Sequence, residues 1–284
     1  MAQGPLPVQR IKRYGWVPDL PDARDHLYAA PLFSLGALPA KVDLRSQCPK
    51  DVYDQGQLGS CTGNAIACAI QFDRIKQKLA NAQSLTPSRL FIYFNERTME
   101  NSVAQDNGAQ IRDGIKSVAK AGACFEQGPN SWPYDIKKFS QTPPAACFKA
   151  ALGNLATQYS RLVATTQQLK GCLASGYPFV LGFSVYESFE SDAVAKTGKV
   201  PMPAPKEKML GGHAVMAVGY DDAQQRFLVR NSWGPKWGQA GYFTIPYQYL
   251  TDTNLADDFW TIRMVEANPA AKGDGAAKSK KKGR

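Results

Sequence analysis

The sequence predicts an α+β protein with two lobes meeting at a cleft. Apolar residues recur at helical spacing through the first half of the chain, strand-like runs crowd the second half, and turns rich in Gly, Asp and Pro separate those runs. Helices first and strands later is the order of an α+β protein, not of alternating βαβ units. With 284 residues, 44% apolar and 20% charged, the chain is long enough to bury a substantial core. Lobe interfaces are where sites tend to form.

Residues 1–37 are rich in Pro, Leu, Asp and Arg and show no sustained period, so they read as an extended arm. From Val42 to Gly59 the chain stays turn-rich. A helix is then expected from Cys61 to about Leu79, capped by Ser60 or Gly59, with Ala65, Cys68 or Ala69, and Phe72 on one face. "LTPSRLFIYFNER" starts a second helix with Thr86 as N-cap and Pro87 at the first helical position, where a missing N–H costs nothing. "IRDGIKSVAKAGA" gives a third helix, ending near Gly122, and Pro144–Leu155 a fourth. Strands are expected at "YPFVLGFSVY", "HAVMAVGYD", "RFLVRNSW", "GYFTIPY" and "DFWTIRMV". No internal repeat is present. The expected boundaries are an arm at 1–37, a main domain at 38–268 with a helical lobe at about 50–155 and a β lobe at about 156–265, and a disordered tail at 269–284.

The formal charge of +10 raises the question of nucleic acid. The tail "KGDGAAKSKKKGR" holds five lysines and one arginine against one aspartate, and so carries half of that excess. A tail of Gly, Ala, Ser and Lys cannot bury a core, and it reads as a solubilising or processed end with no specific nucleic-acid partner. No stretch approaches the length of an apolar membrane span. The N-terminus has basic residues but no apolar segment behind them, so the expected location is cytoplasmic, or outside by another export route. Cys48, Cys61, Cys68, Cys124, Cys147 and Cys172 form no CxxC pair, which argues against a zinc site, and their density is too low for a disulfide scaffold.

Histidine is scarce: only His26 and His213 could supply an imidazole base. His26 lies in the arm, in "ARDHLY", and reads as a surface or capping residue. His213, in "MLGGHAVMAVGYD", follows two glycines and opens an apolar strand; taken alone it reads as an ordinary strand-start histidine before it reads as a catalyst. Eighteen residues on, Asn231 ends a strand just before Trp233 and Trp237 in a glycine-spaced turn. A hairpin would bring Asn231 to His213, where its oxygen could fix the ring's tautomer while tryptophan keeps water off the bond. Cys61 sits at a helix start, whose unpaired N–H groups and dipole favour thiolate, and a neighbouring imidazolium would lower its pKa further. Cys68, mid-helix, has neither advantage. Taken alone, Cys61 is better explained by core packing.

Taken together, these segments resemble the papain-like cysteine peptidase family, in a bacterial-type form with a short pro-segment. "QGQLGSC" is similar to the stretch around the family's nucleophile, "GHAV" to its histidine motif and "NSWGPKWGQAGY" to its asparagine motif, in order, from "LPAKVDLRSQ" to about Val265. The resemblance implies the two-lobed papain-like fold, with a helical lobe and an antiparallel, barrel-like β lobe around the active-site cleft. It implies Cys61 as nucleophile, His213 as general base and acid, Asn231 as the residue orienting His213, and Gln55 with the Cys61 N–H as oxyanion hole. The reaction implied is peptide hydrolysis through a thioester, with protein or peptide substrates and no metal or organic cofactor. Gly108, Ala109, Gly212, Trp233 and Trp237 are expected to bind substrate, with Gly108 and Ala109 standing where the family holds substrate backbone. A monomer is expected.

The chain departs from the family pattern in places. Leu58 and Thr62 replace a cysteine and an aromatic of the signature around the nucleophile. Leu58 removes half of a disulfide common in the family. The wide spacing from Cys61 to His213 suggests an insertion such as "KVPMPAPKEK". Residues 1–37 are too short to match the family's long helical pro-region, and are expected either to cross the cleft as an inhibitory pro-segment, with Trp16, Leu27 or Tyr28 filling pockets, or to stay as a packed structural arm. Other Cys–His acyl-transfer enzymes, such as an amidase or a deconjugating peptidase, and a non-catalytic binding relative are the alternatives.

Overall fold

A computed structural model describes residues 14–30, 36 and 38–266; the tail expected at 269–284, and the arm before residue 14, lie outside them. The predicted order of elements is present. A helix at Cys61–Lys76 (α1) is followed by Arg89–Met99 (α2), Ile111–Lys120 (α3) and Ala145–Ala151 (α4), and then by the strands Leu155–Leu162 (β5), Phe179–Tyr186 (β6), Met209–Asp221 (β7), Arg226–Arg230 (β8), Tyr242–Pro246 (β9) and Ala256–Glu266 (β10). Four short strands precede β5: Trp16–Val17 (β1), Leu27–Tyr28 (β2), Lys41–Asp43 (β3) and Ala109–Gln110 (β4). The main sheet runs β2-β5-β10-β6-β7-β8-β9, with β3 on β7, and every pairing in it is antiparallel except β2 with β5. Among the described residues no helix is long and apolar enough to cross a membrane.

Helix α1 is the element on which the site is built. Residues 61–74 are all buried, so the helix has no solvent face over that span, only packing against α2, α3, β7 and β10. This differs from the one-faced helix expected, because small residues such as Gly63, Ala65, Ala67 and Ala69 let neighbours approach from every side. Ser60 takes the cap position without capping; its hydroxyl instead meets the Tyr134 hydroxyl at 2.5 Å.

Three local expectations are corrected. The cap of α2 is Ser88, whose Oγ accepts from the Phe91 N–H at 3.1 Å, and not Thr86. Thr86 and Pro87 are held extended against Phe125 and Glu126, and the residue before a proline is disfavoured in the helical region. The fourth helix stops at Ala151, because Gly153 and Asn154 break it and Leu155 already enters the sheet beside β10. The helix Thr166–Ala174 (α5), capped by Thr165, had no clear period to announce it. All six cysteines are unpaired thiols and buried.

The arm divides into two parts. β1 pairs parallel with β4 at the cleft, while β2 pairs parallel with β5 at the edge of the main sheet. Leu27 and Tyr28 therefore fill no cleft pocket: Leu27 is exposed and Tyr28 lies under the Arg263 guanidinium, 4.3 Å from its ring centroid. Their backbone completes a sheet edge that would otherwise be open.

Candidate active site

His213 and Asn231 meet as the hairpin argument expected. β7 and β8 pair antiparallel, so Asn231, just past the end of β8, reaches back along β7, and the His213 Nε2–H donates to Asn231 Oδ1 at 2.8 Å. Asn231 Oδ1 also accepts the Ser232 N–H at 2.9 Å, which fixes the amide. The Trp233 ring covers the imidazole, centroids 5.1 Å apart and planes 33° apart. Trp237 packs edge-on behind Trp233 and against Phe189 and Phe243, one ring further from the histidine. Among the described residues His213 Nδ1 has no hydrogen-bond partner. The ring thus offers one nitrogen for orientation and one for a proton.

Cys61 opens α1, and its thiol lies against the backbone N–H of Ala214, the residue after His213. Gln55 is buried before it. Its Oε1 accepts from the Ser232 hydroxyl at 2.7 Å and its Nε2 donates to the Leu58 carbonyl at 3.0 Å. With one side of the amide pinned by Ser232, the amino group is aimed at the turn before Cys61 and keeps a second N–H to donate. Ser232 thus serves both Gln55 and Asn231. It lies inside the "NSWG" segment, but a serine in a turn carries no signal of its own.

The electrostatics differ from the activated thiolate expected from the helix start. Burial pushes the Cys61 thiol up to about 12, outweighing the Ala214, Gly15 and Thr62 N–H groups that favour thiolate. Burial likewise pushes His213 down to about 4, against the Asn231 bond. Both groups are therefore neutral in this state. The water that would stabilise an ion pair is excluded by the chain's own arm.

Tyr14, Gly15 and Trp16 lie over the pair. The Tyr14 ring stands edge-on to His213, centroids 6.3 Å apart, and its hydroxyl bonds Glu190. The Gly15 N–H faces the Cys61 sulfur, and the Gly15 carbonyl accepts the Ala109 N–H at 2.8 Å. Gly108, at φ +84°, has no room for a Cβ against Gly15. Trp16 lies flat on Gly212, where an added Cβ would stand 2.7 Å from the ring. The arm backbone therefore occupies the strip at Gly108 and Ala109 that was expected to hold substrate.

Thr62, unexplained by sequence, donates its hydroxyl to Glu96 Oε2 at 2.7 Å in a fully buried junction of α1, α2 and α3. Burial raises Glu96 to about 8 from an ordinary 4.5. A carboxyl raised in this way stabilises the fold fully below its unfolded pKa and loses that contribution as pH rises through the folded value. Glu96→Gln keeps an acceptor for Thr62 and cannot ionise. The Tm of Glu96→Gln relative to the parent should climb from pH 5 to pH 9 by several degrees, at roughly 2–4 °C per kcal/mol. A difference that stays flat across that range would show that Glu96 does not titrate there.

The chain is similar to known proteins over most of its length. Residues 38–260 match the papain family of cysteine proteases. A peptidase C1-like protein of Acanthamoeba polyphaga mimivirus is 41% identical over 277 residues, covering 89% of this chain and 88% of that one. A cathepsin B-like protein of Giardia intestinalis is 42% identical over 234 residues, 73% and 69% of the two chains. The crystal structure of xylellain, a cysteine protease from Xylella fastidiosa, superposes with a TM-score of 0.82 at 44% identity, over 91% of this chain and 98% of that one. The procathepsin B of Trypanosoma congolense shares the fold, with a TM-score of 0.69 at 18% identity over 92% and 88%. With that match running over residues 38–260, and with two such relatives more than 40% identical over most of the chain, the chain belongs to the papain family and is a cysteine-type peptidase.

Proposed function

We propose that Cys61, His213, Asn231 and Gln55 hydrolyse peptide bonds through a thioester, and that residues 14–18 of the arm hold the enzyme inactive until they leave the cleft. The bond from His213 Nε2–H to Asn231 Oδ1 carries the first part, since it leaves Nδ1 unpartnered beside the strand that touches the Cys61 thiol. His213 Nδ1 takes the thiol proton as Sγ attacks the carbonyl carbon. The oxyanion accepts the second Gln55 Nε2–H and the Cys61 N–H. His213 then passes its proton to the amine nitrogen as the C–N bond breaks, leaving the acyl group on sulfur. Water, deprotonated at Nδ1, attacks the thioester; the C–S bond breaks and the thiol returns.

Alkylation by iodoacetamide, with the adduct located by mass spectrometry, tests the assignment. Burial raises Cys48, Cys68, Cys124, Cys147 and Cys172 as well as Cys61, but Cys61 lies against the N–H of Ala214, next to His213, which on this reading takes its proton. In the full-length chain the adduct should form on Cys61 alone and disappear in His213→Ala; even labelling of several cysteines would defeat the reading. Gln55→Ala should lower kcat about 10²–10³-fold with little change in KM, the usual cost of one oxyanion donor. A pure KM effect would move Gln55 out of that role.

A further inference from the structure

The two N–H donors for the oxyanion come from opposite ends of a short turn, Gln55 to Cys61, that contains Gly59 and Gly56, the latter at φ +62°. A glycine-bearing turn has freedom of its own, whereas an oxyanion hole needs its donors fixed at one separation. A single oxygen atom joins the two ends. The Tyr134 hydroxyl donates to the Gln55 carbonyl at 3.0 Å and lies 2.5 Å from Ser60 Oγ. A phenol has one proton, and the carbonyl takes it, so the Ser60 hydroxyl must donate to Tyr134 Oη. Ser60 Oγ in turn accepts the Asn64 Nδ2–H at 3.1 Å. The donors therefore run one way, from Asn64 through Ser60 and Tyr134 to the Gln55 carbonyl.

The phenol is itself firmly mounted. The Arg89 guanidinium lies on its ring, 3.9 Å from the centroid, and is paired with Glu126 at 2.6 and 3.0 Å. Arg89 Nη1 also donates to the Asp54 carbonyl and to Asn64 Oδ1, both at 3.2 Å. Two residues before Tyr134, the Trp132 carbonyl accepts the Ser88 hydroxyl at 2.6 Å, and the Trp132 N–H donates to the Phe125 carbonyl at 2.8 Å. Ser232 already holds the Gln55 side chain and its N–H, which leaves the carbonyl to Tyr134. A phenylalanine would stack under Arg89 equally well; only the hydroxyl ties the turn. We propose that Tyr134 is a positioning residue of the oxyanion hole, whose hydroxyl, by bridging Gln55 and Ser60, sets the separation of the Gln55 and Cys61 donors. This rests on the reading that those two groups bind the oxyanion.

The test uses the full-length chain carrying Trp16→Ala, to loosen the arm. Trp16 and Asp19 tie the arm to Asp258, whose Oδ2 accepts the Trp16 Nε1–H at 2.9 Å and the Asp19 N–H at 2.8 Å; these bonds involve no residue of the turn, so the bridge stays as it is. In that chain Tyr134→Phe should lower kcat on a fluorogenic peptide about tenfold, with KM within about twofold. In the Gln55→Ala background it should cost less than about twofold more, because with one donor gone their separation no longer matters. Alkylation of Cys61 by iodoacetamide, a displacement of iodide that passes through no oxyanion, should stay within about twofold of the parent rate. An unchanged kcat, equal fold losses with and without Gln55, or a parallel fall in alkylation would overturn the proposal. Ser60→Ala breaks the same bridge from its other end, so it should match Tyr134→Phe, and the double variant should be no slower than either. That pair decides the matter if Tyr134→Phe melts more than about 4 °C below its parent. Gln55→Ala with kcat unchanged would defeat the oxyanion reading and the bridge's role with it, whereas a costly Gln55→Ala beside an inert Tyr134→Phe defeats the proposal alone.

Discussion

His213→Ala should lower kcat/KM on any peptide substrate by ~10⁴-fold or more, and Cys61→Ala should do the same, because a base and nucleophile that act as a unit fail together. The double variant should be no worse than either single one. This non-additivity separates a shared proton path from two independent packing losses, which would multiply. The measurement belongs in both the native chain and the Trp16→Ala chain, so that low turnover caused by the arm is not mistaken for lost chemistry. Retention of more than about one per cent of activity in His213→Ala would exclude the imidazole as the base. Asn231→Ala should cost less, about 10²-fold, since Trp233 still packs on the ring while the tautomer is no longer fixed. Its signature is a fall in kcat at nearly constant KM.

The parts of this site that could be read from the sequence are those in which one residue type has few alternatives. Two histidines left one credible base, and a helix start with a preceding glutamine singled out Cys61 from Cys68. The strands β6 to β9 were visible because alternating or continuous apolar runs were cut by Gly, Asp and Pro. What was hidden depended on contacts between distant segments. Nothing in "LATQYSRL" distinguishes a strand from the end of a helix until β10 lies beside it. Thr62 makes sense only with Glu96 across the helix junction, and Asp258 only with Trp16, 242 positions away in the chain. The thiol's direction of shift was misjudged for the same reason: the helix start favours thiolate, but the arm above it removes the water.

Tyr14→Ala/Trp16→Ala should raise the rate of Cys61 alkylation in the full-length chain by one to two decades at neutral pH. Losing the half-buried indole alone removes about 2 kcal/mol of seating, and every 1.4 kcal/mol is tenfold in the open population. β2 stays in place in this variant, so the sheet edge is not disturbed; deleting residues 1–37 would confound release with unfolding. The pH dependence of release follows from which protons move. In the seated state burial holds the thiol and imidazole neutral, and a proton that stays on sulfur until attack, or moves to His213 within the pair, is not exchanged with solvent, so the pair contributes no slope near neutrality. Asp22 is held low by Arg24 and Lys116, and so is already ionised in both states above about pH 5. That leaves Asp19 and Asp258, both raised in the seated state, chiefly by burial, among Arg112, Arg161, Asp25 and Asp257. A seated state that holds protons more tightly than the open one is favoured by acid and weakens as pH rises. The alkylation rate of the parent, divided by that of the double variant, should therefore climb between about pH 5 and pH 7.5. In Asp258→Asn that climb should flatten. A ratio that falls with pH would mean that acid opens the arm, and that the Asp19–Asp258 contact is not what holds it down.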